Sequence, residues 1–271
     1  MKIWAKITAV FLLLDGLFLF SACGGSVETA PVQTKTEPTA AVETNIKPEP
    51  PPKPQVPNLQ AELLDERNKT TTSPLGKFDF KNFTYKLPRG WQNAEGEITL
   101  ENGKSPVSLD EEERKIGASF VTTKFADATG DGVDEAFIII KLETGGSAIP
   151  QMVYIYGWKE NEPNLLWYFR TGDRADGGLK DIRVENGNLV IEIYGQDRYI
   201  LGEVETAKIT NDEEQICCPT HFTRSSYKWN GSNFRLEGKR LTFSTADKNA
   251  PPIENMIEAA EKLEKQNSGK K

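Results

Sequence analysis

Histidine is nearly absent: position 221 holds the single copy in 271 residues. It stands beside a cysteine pair, and no serine nucleophile motif accompanies it. A hydrolase needs a nucleophile–base pair or a carboxylate pair in a cleft. The first is missing, and forty acids offer too many choices to name the second, so the sequence predicts a protein that is not an enzyme. Cysteine is scarce as well, with Cys23, Cys217 and Cys218 only. Positive charge is in deficit: 33 Lys and Arg face 40 Asp and Glu, a net −7. Without residues 1–22, which take away Lys2, Lys6 and Asp15, 31 bases face 39 acids, or −8. Such a balance makes nucleic acid and anionic lipid surfaces poor partners and suits an exported domain with weak cation binding.

The chain opens with an export signal. Lys2 and Lys6 form a positive start, Ile7–Phe20 is apolar, and the small residues Ser21 and Ala22 precede Cys23. Leu19-Phe-Ser-Ala-Cys23 resembles a bacterial lipobox, with Phe20 departing from the usual aliphatic residue. The resemblance implies removal of residues 1–22, lipid on Cys23 and membrane attachment through that lipid. A Gly24 after the lipidated cysteine is compatible with the outer membrane, facing the periplasm or the surface. The alternatives are an uncleaved anchor, which Asp15 opposes, and a plain secretory signal. From 23 to 74 the chain is rich in Pro, Thr and Glu, holding nine of the sixteen prolines. That composition predicts a disordered linker.

Residues 75–245 predict one mainly β domain: an antiparallel meander of hairpins, forming a curled sheet, a partial barrel or a propeller-like piece. Val153–Trp158 pairs with Leu165–Phe169. Ile182–Val184 and Leu189–Tyr194 flank Glu-Asn-Gly-Asn, and Ser226–Trp229 and Phe234–Leu236 flank Asn-Gly-Ser-Asn. Asn-Gly between alternating apolar runs is a hairpin signal. The aromatics, Trp158, Trp167 and Trp229 among them, fit strand positions as packing residues, with a ligand-stacking face as the other reading. Residues 246–271 predict a short C-terminal helix and tail, with Ile253, Met256, Ile257, Ala260 and Leu263 on one stripe.

The chemistry concentrates in Phe125-Ala-Asp-Ala-Thr-Gly-Asp-Gly-Val-Asp-Glu135. Counting from Asp127, oxygen donors recur at alternate positions: Asp127, Thr129, Asp131, the Val133 carbonyl and Glu135. Gly132 sits where a Ca²⁺ loop makes its sharp turn. Ile138 stands where an EF-hand needs a bidentate glutamate, which excludes that motif. Over about ten residues the loop resembles the Asp-x-Asp-x-Asp-Gly-x-x-Asp loops of FG-GAP (VCBS-like) repeats, with Thr129 in place of an acid. The resemblance implies a weak Ca²⁺ site, on the order of 10⁻⁴–10⁻³ M. The plain alternative is a polar turn whose Asp and Gly serve backbone geometry.

With Cys23 lipidated, Cys217 and Cys218 are left in an oxidising compartment. Three readings stand: a strained bridge between neighbours, reduced packing cysteines, or a redox or metal site joined by His221. Trp167–Leu179, Cys217-Cys-Pro219 and Tyr227-Lys-Trp-Asn-Gly231 resemble stretches of bacterial exported proteins, which implies a shared fold and no activity. Together these features predict a membrane-anchored lipoprotein whose β domain binds a protein or glycan, with Ca²⁺ as a stabilising ion. The alternative is a redox or metal-handling lipoprotein acting through Cys217, Cys218 and His221.

Overall fold

The computed structural model describes residues 58–88, 96–109, 115–146, 149–173, 177–202, 204–205 and 218–254. Residues 1–57, including Cys23, lie outside the described residues, as do Cys217 and residues 255–271.

The predicted meander of hairpins is present. β1 (Thr84–Lys86) pairs with β2 (Glu97–Thr99). β3 (Lys104–Leu109), β4 (Lys115–Ala126), β5 (Glu135–Glu143), β6 (Gln151–Lys159) and β7 (Glu162–Arg170) then run back and forth. β8 (Leu179–Glu185) and β9 (Asn188–Tyr194) form a second meander with β12 (His221–Trp229), β13 (Phe234–Ser244) and β14 (Ile253–Glu254). The short β10 (Ile200–Leu201) and β11 (Val204–Glu205) return to the first sheet. The orders are β10-β11-β7-β6-β5-β4-β3 and β14-β13-β12-β9-β8. Pairing is antiparallel except between β11 and β7. Neither sheet closes into a barrel. The β8–β9 connection is Asn186-Gly187, with φ of 51° and 74°, the left-handed pair that a two-residue hairpin turn of matching twist requires.

β5 and β6 read as nearly continuous apolar runs because both faces of their sheet are covered. Phe137, Ile139, Val153 and Ile155 point one way and pack with Leu179, Ile182, Leu189, Ile191 and Ile193 of the second sheet. Ala136, Ile138, Ile140, Met152, Tyr154 and Tyr156 point the other way, onto Leu75, Phe80, Tyr85, Leu87, Ile98 and Leu100. Alternate residues of one strand thus feed two cores. The Tyr154 hydroxyl donates to the Lys86 carbonyl at 2.6 Å, and the Tyr85 hydroxyl to Phe80 at 2.5 Å, so neither phenol is buried without a partner.

Two expected boundaries need correction. The linker predicted to extend to residue 74 ends earlier, because residues 58–73 form a packed strap. The Leu59 carbonyl accepts from the Tyr194 hydroxyl at 2.8 Å, and Leu63 is fully buried in the first core. The Asn68 carbonyl accepts from Phe125 N at 2.7 Å, and Thr71 Oγ1 donates to Asp134 at 2.6 Å. The strap then passes through a 3-10 turn at Pro74–Lys77 that places Leu75 in the second core. Burial of one leucine and these bonds offset the ordering entropy that composition alone left unopposed. Of the C-terminal helix predicted over Pro251–Lys265, Ile253 and Glu254 instead pair as β14 with Thr242 and Leu241 of β13, and residues 255–265 lie outside the described residues.

Candidate functional site

The acidic loop connects β4 to β5, with Ala126 opposite Glu135 closing its base. Its oxygens turn inward. Asp127 Oδ1 accepts from the amides of Gly130 (2.7 Å) and Asp131 (3.2 Å), and Oδ2 from Gly132 (2.9 Å). Asp131 Oδ1 accepts from Val133 N at 2.8 Å. Glu135 Oε2 accepts from Ala128 N (2.7 Å) and Thr129 N (3.0 Å), and Oε1 from the Thr129 hydroxyl (3.2 Å). Gly130 and Gly132 have φ of 79° and 87°, which glycine adopts without a Cβ clash. Burial pushes the Glu135 carboxyl up to about 7, against the pull of the Ala128 and Thr129 amides.

Asp127, Asp131 and Glu135 thus accept from amides of their own loop, Val133 entering through its N–H and Thr129 through its N–H and hydroxyl. They are assembled around backbone amides: the donor types suit a hard cation, but their lone pairs are largely used by the turn. Among the described residues no group of three or more His, Cys, Asp and Glu is arranged to hold a metal ion.

Two aromatics missing from the sequence-level site lie beside this loop. Trp158 at the end of β6 and Trp229 at the end of β12 share with Thr129, Asp131, Val133 and Glu135 a cavity of about 430 Å³. Both indoles are half-buried, and Val133 is 43% exposed. Strand alternation places each tryptophan, but only the stacking of the two sheets brings them to one loop.

A cluster of charged side chains occupies the outer face of the five-stranded sheet. Asp181 on β8 and Glu192 on β9 lie directly opposite each other and are both 1% exposed. Lys124 from β4 donates to Asp181 at 2.7 Å, and Lys180 to Glu192 at 2.7 Å. Arg183 joins the two carboxylates at 3.1 and 2.9 Å, and Arg224 reaches Glu192 at 2.7 Å. Burial raises the Glu192 carboxyl, but Lys180 and Arg183 outweigh it and hold it below its ordinary value. The sequence contains a clue to this cluster. Pairing Ile182 with Ile191 puts two acids opposite each other, which is unfavourable unless cations intervene.

Of the cysteine group, Cys218 is exposed. His221 begins β12, with Nδ1 at 2.9 Å from Thr220 Oγ1 and 3.4 Å from Gln196 Nε2. The expected Cys217–Cys218 bridge lies outside the described residues. Comparison with protein families, curated proteins and solved structures finds no match.

Proposed function

We propose that the chain is a non-catalytic binding module, held at a bacterial envelope membrane by lipid on Cys23. Its ligand-contacting face is the Asp127–Glu135 loop with Trp158 and Trp229. The observation that carries this is the shared cavity, where two half-buried indoles stand against a rim of hydroxyl and carboxylate groups. Flat apolar faces beside a polar rim fit a glycan, whose rings present C–H faces to the indoles. Glu135 brackets the loop, since both of its oxygens accept hydrogen bonds from it. Ca²⁺ is the cation that this oxygen set would suit, at the weak extracellular end of affinity. Binding it would draw Asp127 and Asp131 from their amides.

Oligomers of N-acetylglucosamine titrated into the full chain test this, read by tryptophan fluorescence in Ca²⁺ and in chelator. We expect saturable binding that Trp158→Ala or Trp229→Ala removes while the fold remains. Unchanged fluorescence throughout the titration refutes a glycan face here. A thermal midpoint that climbs with Ca²⁺ assigns the ion to the loop, and an unmoved midpoint assigns the loop to turn formation alone. Cys23→Ala is expected to move the chain from the membrane fraction to the soluble fraction, and identical fractionation overturns the lipid anchor.

A further inference from the structure

A cleft of about 750 Å³ opens on the outer face of the five-stranded sheet, with Glu192 in its floor. Lys124, Lys180, Arg183 and Arg224 converge on only two buried carboxylates, Asp181 and Glu192. Arg67 also reaches Asp181, at 3.7 Å, so five positive charges stand against two buried negative ones, and Asp65, 26% exposed, offsets part of the excess through Lys124 and Arg67. The negative charge that offsets it comes from more exposed side chains. Glu62 of the strap, its side chain 53% exposed, pairs with Lys180. Glu185, 46% exposed, pairs with Arg183 at 2.6 Å. Removing a buried partner from these cations is costly, whereas exchanging an exposed one costs little.

The cleft also has flat apolar walls. Phe222 and Phe243 stack at 5.3 Å and 15°. Lys180 Nζ lies 4.3 Å over the Phe222 ring, and the Arg224 guanidinium 4.7 Å over Phe243. Held by Glu192 on one side and a ring on the other, both cations keep their positions whether or not Glu62 is present. Leu63, fully buried, and the Glu62 carbonyl, which accepts from Lys124 Nζ at 3.0 Å, anchor the strap without the Glu62 side chain.

We propose that this cleft is a binding site for a small ligand carrying a carboxylate or phosphate beside a flat apolar group. The anion takes the place of Glu62 on Lys180 and contacts Arg224, and the apolar part lies along Phe222 and Phe243. Glu62 is the resting occupant and a built-in competitor. The site is separate from the loop cavity, so its test does not depend on glycan binding.

Benzoate, phenyl phosphate and benzyl alcohol are titrated into the full chain by calorimetry. We expect saturable binding of at least one anion, the preferred one identifying carboxylate or phosphate as the natural group, and no binding of benzyl alcohol. Glu62→Gln is expected to tighten the anion by roughly threefold or more, by removing a competing exposed ion pair, and Arg224→Gln to weaken it. The Glu62 side chain is half exposed, so folding is not at stake in that variant. The proposal is overturned by failure of both anions to saturate, by equal binding of benzyl alcohol, or by an anion affinity that Glu62→Gln leaves unchanged.

Discussion

Replacing Glu192 by glutamine keeps its shape and deletes its charge beneath Lys180, Arg183 and Arg224. Its side chain is 1% exposed, while those of Lys180, Arg183 and Arg224 are 10%, 13% and 36% exposed. Breaking a buried ion pair from one side destabilises by about 3–5 kcal/mol. Arg224 can turn to water and Arg183 retains Asp181 and Glu185, so the lower end, about 3 kcal/mol, applies. At roughly 2–4 °C per kcal/mol for a domain of this size, the midpoint should fall by about 6–12 °C. Thermal unfolding of the full chain, followed by circular dichroism, measures it. Glu185→Gln on the same cluster is the control: its side chain is 46% exposed and its loss should stay within about 1 kcal/mol. Because the folded Glu192 carboxyl titrates below its ordinary value, its contribution is present above the ordinary carboxylate range. It is lost as pH falls through the depressed folded value. Parent and Glu192→Gln should therefore converge in strong acid and separate towards neutral pH. A difference under about 0.5 kcal/mol at neutral pH, or one that grows on acidification, refutes the assignment of Glu192 as the charged centre.

Leu63→Ala should destabilise the full chain by about 2–5 kcal/mol in urea unfolding, the range for a buried leucine; a neutral result would mean that the strap does not pack. Asp127→Ala removes the acceptor of three amides and should lower stability by about 1–2 kcal/mol, with faster hydrogen exchange at Gly130 and Gly132. Retained protection at both amides would contradict the hydrogen bonds to the Asp127 carboxylate. Gly132→Ala meets no atom within 4 Å, so its effect should be backbone strain alone, about 1–2 kcal/mol at φ of 87°. A much larger loss would require a steric clash that the open surroundings do not contain.

The hairpins were legible because their signals are local. Asn186-Gly187 states both a turn and its twist, and the flanking apolar residues fix the register within a few positions. The double coverage of β5 and β6 left a trace in their unbroken apolar runs, but period alone does not say what covers each face. The strap was illegible for a different reason. Its residues read as a continuation of the proline-rich segment, and what fixes them comes from far away: Tyr194, Phe125 and the core around Leu63. β14 was missed because Ile253 fits a helical stripe as well as it fits a strand edge, and pairing with Thr242 decides between them. The candidate site divides in the same way. The alternate acids of the loop were visible, but whether their oxygens face a cation or their own amides depends on φ at Gly130 and Gly132. Trp158 and Trp229, 71 positions apart, meet the loop only through sheet stacking.

The route of the strap also sets how the domain carries load. A pull on the chain upstream of Asn58 does not reach a sheet first. It meets Leu59 and Glu62, whose attachments to Tyr194 and Lys180 are isolated and yield one after another, as in peeling. Leu63, buried in the first core, then takes the strain before any ladder of β-strand hydrogen bonds is loaded in parallel. Residues 59–62 are thus the first attachments that such a load reaches, and the buried Leu63 is the first core contact behind them.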